Sequence, residues 1–313
     1  MSGPRVVAMG GGHGLAASLS ALRLVTDHIT AVVTVADDGG SSGRLRGEFH
    51  VLPPGDLRMA LAALCDDSAW GHTWRDVLQH RFQGDGQLAG HALGNLLIIS
   101  LWELLGDTVE GLDLVGRLLN ARGRVLPMAA EPLEIVAEIR GLDRDRPDEV
   151  TEVRGQHLVA SADGLVESVR IVPAQPRSCP QTLAAVTDAD WVFLGPGSWF
   201  TSVIPHVLVP ELREALVATS AQRVLILNLE VGRGETAGYR VHDQLRSLAD
   251  HAPELAIDVV LVDPAVVDDL GRLSAAAAEL GATLSVQPVA AVGRRATHDS
   301  LRLAAAYRDL MRA

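Results

Sequence analysis

A chain of 313 residues with 48% hydrophobic content has enough apolar material for one large core, and a mean hydropathy of +0.19 excludes wholesale disorder. Its 39 acidic residues outnumber 27 basic ones, and the resulting charge of −12 at pH 7 argues against a general nucleic-acid binder, which needs a basic face toward phosphates. All 27 basic residues are arginine, so a lysine Schiff base, a pyridoxal-phosphate anchor and the P-loop lysine are excluded.

Aromatics are only 4%, so Ala, Val and Leu must fill the core. Cys65 and Cys179 lie far apart, and read as two reduced thiols rather than a disulfide or a zinc site. The first strand candidate starts almost at once, at Arg5, so no targeting segment is expected. The longest apolar run, Leu96 to Leu105, contains Glu103 and is too short to span a bilayer. The expectation is a soluble cytoplasmic protein without membrane insertion, and a homodimer would be ordinary for an enzyme-like α/β fold.

In chain order, Val6 to Met9 predicts a short strand, broken by the glycines from Gly10 to Gly14. Leu15, Leu19, Leu22 and Val25 then recur at helical spacing, and Ile29 to Val35 predicts a second strand. Strand, helix and strand in about thirty residues make a βαβ unit with parallel strands. Residues 52–106 read as mainly helical, with Trp70, Trp74 and Trp102 as large anchors. Residues 131–173 read as a small antiparallel β insertion, with Asp163-Gly164 as a hairpin turn. Buried strands are predicted at 190–194, 223–227, 257–262 and 283–286, separated by helices at 211–218, 239–250 and 267–280. This alternation predicts a single Rossmann-like domain over 1–313, α/β and doubly wound, with a mainly parallel sheet and helices on both faces.

The candidate chemistry sits where strands end. Gly10, Gly11, Gly12, His13 and Gly14 join a strand to a helix, and from Gly12 the spacing fits G-x-G-x-x-A, a turn whose N–H groups hold a diphosphate. His13 faces those phosphates or caps the turn. After the second strand, Asp37 or Asp38 is placed to bind ribose hydroxyls, or the two together to hold a divalent cation such as Mg²⁺. Gly39, Gly40, Ser41 and Ser42 offer successive donors beside Arg44 and Arg46, an anion nest.

Asp56, after Pro53 and Pro54, suits helix capping and ligand binding equally; so do His91 and Asn95, at the start of an apolar helix. Gly195, Pro196, Gly197 and Ser198, with Thr201 and Ser202, follow a strand at the end where α/β sheets bind ligands. Asn228 to Thr236 follows the next strand, with Glu235 within it. Thr297 to Ser300, preceded by Arg294 and Arg295, is a weaker signal, because His298 and Asp299 suit a helix start. No G-x-S-x-G elbow, H-E-x-x-H or catalytic Cys/His spacing is present, which leaves phosphate and sugar binding, with or without a metal.

Taken together, Gly10–Leu15, Thr34–Leu45, Pro53–Arg58, Gly90–Leu96, Gly195–Ser198 with Thr201 and Ser202, and Gly234–Thr236 resemble the gluconeogenesis factor (YvcK-like) family of the CofD-like superfamily. The segments occur in family order from residue 5 almost to the end. The resemblance implies a Rossmann-like core that binds a UDP-sugar such as UDP-N-acetylglucosamine, and a role in cell shape and wall synthesis during growth on gluconeogenic carbon. The relatives that are 2-phospho-L-lactate transferases imply an alternative. There a phospholactyl group moves from a nucleotide-activated donor with Mg²⁺, and Asp37, Asp38 and Gly195 to Ser198 would surround the phosphates.

Overall fold

A computed structural model of the chain describes residues 3–312. Its first strand, β1 (Val6–Gly10), is buried at every position, as expected for a strand covered on both faces. The chain turns at Gly11 into α1 (Gly12–Leu22), whose Leu15, Leu19 and Leu22 face the core, and returns as β2 (Ile29–Val33). β2 pairs with β1 in parallel, Val6 opposite Ile29. The helices α2 (Gly40–Phe49), α3 (Pro54–Leu64), α4 (Ala69–Gln79), α5 (Leu93–Leu105) and α6 (Thr108–Leu118) then lead to β3 (Arg124–Pro127), which adds to the free edge of β2.

Next come β4 (Glu134–Arg140), β5 (Val150–Arg154), α7 (Gln156–Ser161) and β6 (Leu165–Val172). Their strands form a separate antiparallel sheet in the order β5-β4-β6. The remaining elements are α8 (Pro180–Thr187), β7 (Trp191–Leu194), a π turn over Trp199–Val203, α9 (Ile204–Leu208), α10 (Pro210–Ala218), β8 (Gln222–Ile226), α11 (Val241–His251), β9 (Val259–Val262), α12 (Leu270–Glu279), β10 (Thr283–Val286) and α13 (Ser300–Leu310).

The main sheet has seven parallel strands in the order β10-β9-β8-β7-β1-β2-β3. From the centre, β1 to β3 builds one wing and β7 to β10 the other. Right-handed crossovers running in opposite directions put their helices on opposite faces. The expected doubly wound α/β fold with a small antiparallel sheet is therefore what the chain forms. Among the described residues no helix is long and apolar enough to cross a membrane.

The C-terminal helix closes the molecule over the first. Tyr307 of α13 is fully buried, its hydroxyl lies 2.9 Å from Ser18 Oγ of α1, and its ring sits 4.6 Å from that of Phe193 on β7. Each such aromatic contributes about 2 kcal/mol by burial. Of the expected tryptophan anchors, Trp102 is buried, whereas Trp70 is exposed and donates its indole N–H to the Leu118 carbonyl at 2.8 Å. Two local expectations are corrected. Asp163-Gly164 joins α7 to β6 and is not a strand-to-strand hairpin. Gly40 to Phe49 is a helix rather than an open nest, because Ser41, Ser42 and Leu45 have a buried face to fill.

Candidate functional site

β1 and β7 lie side by side, and their carboxyl ends carry the two glycine loops. This is the one place where the strand order reverses, the crevice in which open α/β sheets take ligands. The loops touch. A side chain at Gly14 would meet the Pro196 carbonyl oxygen at 2.2 Å, so only glycine lets the first turn of α1 approach the second loop. Gly10 and Gly11 are buried beneath the turn, Gly12 is part-buried, and His13 points outward, exposed. Gly11 gives α1 no side-chain cap, so apart from the Gly12 N–H, which faces the Asp56 carboxylate, the N–H groups of its first turn stay open to an anion.

The second glycine loop is fixed from below. Gly195 to Pro196 is a cis peptide. Asn228, just past β8, accepts from the Gly197 N–H at 3.1 Å and donates to the Gly197 carbonyl at 2.7 Å. Asn228 thus clamps the loop, and its amide is occupied. Ser198 donates to Glu235 Oε1 at 2.8 Å, and the buried Glu235 Oε2 has no hydrogen-bond partner among the described residues. Burial raises the Glu235 carboxyl from 4.5 to about 7. Thr201 and Ser202 are buried in the π turn, Ser202 against Gly11.

The aspartate segment divides rather than pairs. Asp38 is exposed and reaches the small sheet's helix, where its Oδ1 accepts from the His157 N–H at 2.9 Å. Gly155 makes room: its φ is +95°, and a side chain there would meet Asp38 Oδ2 at 2.1 Å. Asp37 accepts from the Gly39 N–H at 3.0 Å and turns its other oxygen toward Gly55. Asp56 is in the first turn of α3 but does not cap it; its carboxylate accepts from the Gly12 N–H instead. Desolvation first, then the Asp37 charge, raise the Asp56 carboxyl to about 7. Asp37 with Asp56, and not Asp37 with Asp38, is therefore the carboxylate pair of this crevice. Among the described residues no cluster of three or more His, Cys, Asp or Glu surrounds a metal position.

The remaining candidates hold structure. Gly39 precedes α2 and Gly40 opens it. Ser41 Oγ lies 2.9 Å from His91 Nδ1 and accepts from Asn95 Nδ2 at 3.0 Å, so the three form one buried cluster, in which Asn95 Oδ1 has no partner among the described residues. Ser42 packs against Gly55. Arg44 donates to the carbonyls of Gln87 and Ala89, and Arg46 to that of Leu133. At the C-terminus Asp299 caps α13 through the N–H groups of Leu301 and Arg302, and burial lowers His298 to about 4. Sequence reasoning noted Glu235 without giving it a site role. Its significance depends on Ser198, which lies 37 positions away and becomes its neighbour only in the fold.

Three comparisons bear on this geometry. The family model for 2-phospho-L-lactate transferase CofD matches residues 6–294. A Mycobacterium leprae protein named "Putative gluconeogenesis factor" is 55% identical over 262 residues, covering 84% of this chain and 73% of that one. The gluconeogenesis factor of Bacillus subtilis is 36% identical over 266 residues, covering 85% and 80%. A crystal structure of a UPF0052-family protein from Bacillus halodurans superposes with a TM-score of 0.87 at 33% identity, over 98% of this chain and 99% of that one. The family match over residues 6–294 and the identity to these relatives place the chain in the CofD family, among its gluconeogenesis factors.

Proposed function

We propose that the protein is a nucleotide-sugar-binding regulatory factor, with UDP-N-acetylglucosamine as the ligand class, acting on cell shape and wall synthesis during gluconeogenic growth. The observation that carries the reading is the meeting of two glycine loops at the strand-order reversal, Gly14 against Pro196. A diphosphate seated there would lie on the open N–H groups of α1, and the ribose beside the end of β2. Beyond β8 and β9, a cavity of about 350 Å³ lined by Leu229, Tyr239, Arg240 and Arg295 has room for a base or sugar.

Isothermal titration with UDP-N-acetylglucosamine, NAD and GDP, each with and without Mg²⁺, tests the reading. It expects saturable, Mg²⁺-independent binding of the UDP-sugar, weakened at least tenfold in Gly14→Ala. Equal binding of all three, or of none, would sink it. The second reading, transfer of a phosphorus-containing group, draws its support from the Asp37–Asp56 pair. A Mg²⁺ held between them would offset the burial and the Asp37 charge that together raise Asp56, and would supply a Lewis acid to a transferring phosphate. Preference for GDP, present only with Mg²⁺, would favour it.

A further inference from the structure

α1, α3 and α4 leave a cavity of about 530 Å³ between them, beginning at His13 and running along the outer face of α1. Four guanidiniums line it, those of Arg23, Arg58, Arg75 and Arg81, and no carboxylate does. In a chain of charge −12 that is a sharp local reversal. Arg23 and Arg75 have acidic neighbours outside the lining, Asp67 at 2.6 Å and Asp76 at 2.9 Å. Arg58 and Arg81 have no ion pair among the described residues. Arg58 donates to Gln79 Oε1 at 2.6 Å, and Arg81 to the Gly90 carbonyl at 2.8 Å.

Arg58 is 97% buried by exposure of 3%, and its Nε has no hydrogen-bond partner among the described residues. Burial, and next the charge of Arg81, lower its guanidinium to about 10; Asp56 and Asp37 offset only part of this. A glutamine in place of Arg58 could bond Gln79 without that cost, so anchoring α3 to α4 does not account for the charge. An anion between Arg58 and Arg81 would account for it, because it supplies the missing acceptor and removes the repulsion.

We propose that this cavity is a second binding site, distinct from the nucleotide crevice, for a small organic molecule bearing a multiply charged anionic group, either a phosphate or paired carboxylates. Guanidinium forks grip both groups through two parallel N–H bonds. The volume suits a small metabolite, and Ala16, Met59 and Ala62 give its carbon skeleton an apolar wall. His13 belongs both to this wall and to the glycine turn, so the two sites adjoin without sharing their anion donors.

The test is titration of pyrophosphate and, separately, citrate into the full chain, with and without saturating UDP-N-acetylglucosamine. Arg81→Ala and Arg75→Ala are measured alongside, and thermal unfolding of the unliganded variants checks that they fold. With the UDP-sugar occupying the crevice, the proposal expects one anion bound per chain, weakened at least tenfold in each variant; without it, pyrophosphate is expected to bind the crevice as well. Stronger binding of pyrophosphate identifies a phosphorylated ligand, and stronger binding of citrate a carboxylated one. No binding of either anion, unchanged affinity in both variants, or loss of all anion binding in the presence of the UDP-sugar would overturn the second site. If the chain binds no UDP-sugar, the comparison of wild type with the arginine variants still decides this proposal by itself.

Discussion

Burial at Glu235 raises a carboxyl that begins at 4.5 in the unfolded chain to about 7 in the folded one. A folded pKa above the unfolded one means that stability from this group is complete below pH 4.5 and is lost as the pH rises through 7. At roughly 1.4 kcal/mol per pKa unit the loss is on the order of 3 kcal/mol. Glu235→Gln removes the titration and retains an acceptor for Ser198. Urea unfolding at pH 5, 6 and 7 should show wild type falling relative to the variant, with the gap largest at pH 7; parallel slopes would contradict the burial argument.

Asn228 holds the second glycine loop by bonding both the N–H and the carbonyl of Gly197. Asn228→Ala leaves the Gly197 N–H and carbonyl without partners, which costs about 1–3 kcal/mol. Asn228→Asp keeps the acceptor and loses the donor, so its unfolding free energy should fall between those of wild type and Asn228→Ala.

Among the elements, six of the seven main-sheet strands were legible, the central ones because burial on both faces writes unbroken apolar runs such as Val6 to Met9 and Val224 to Leu227; the four-residue edge strand β3 was not. Nor was α2. Five of its ten residues are glycine or serine, the composition of a loop, and its helical state rests on tertiary contacts that outweigh propensity. Those contacts centre on Ser41, held between His91 and Asn95. The same burial that lowers His91 keeps its ring neutral and able to accept or donate toward that hydroxyl. Ser41→Ala should therefore cost about 1–3 kcal/mol in chemical unfolding, because two buried groups lose their partner. UDP-N-acetylglucosamine affinity should change less than threefold in the same variant. A large loss of affinity with unchanged stability would return Ser41 to the ligand. The positions of the glycine turn and the Gly195–Ser198 loop were readable for the opposite reason: their shape lies in the backbone, and glycine spacing after a strand records it locally. The division of labour between Asp37, Asp38 and Asp56 was unreadable, since it depends on α7 reaching Asp38 and Gly12 facing Asp56.

Across the whole molecule, two wings of parallel sheet join along the single β1–β7 seam. The backbone ladder holds that seam, Tyr307 braces it by packing on Phe193 and bonding Ser18, and the two glycine loops cap its carboxyl end. A ligand across the reversal would touch loops belonging to both wings, so its binding energy would act on their union rather than on one loop. At a hundred times its dissociation constant, a ligand specific for the folded state adds about 2.7 kcal/mol. Hydrogen exchange with saturating UDP-N-acetylglucosamine should then slow together at residues 10–14 and 195–202, and the unfolding temperature should rise by several degrees. Gly14→Ala, which forces the two loops apart, should show neither effect. Protection confined to one loop would mean that the ligand sits within a single wing, and that the seam is a structural joint alone.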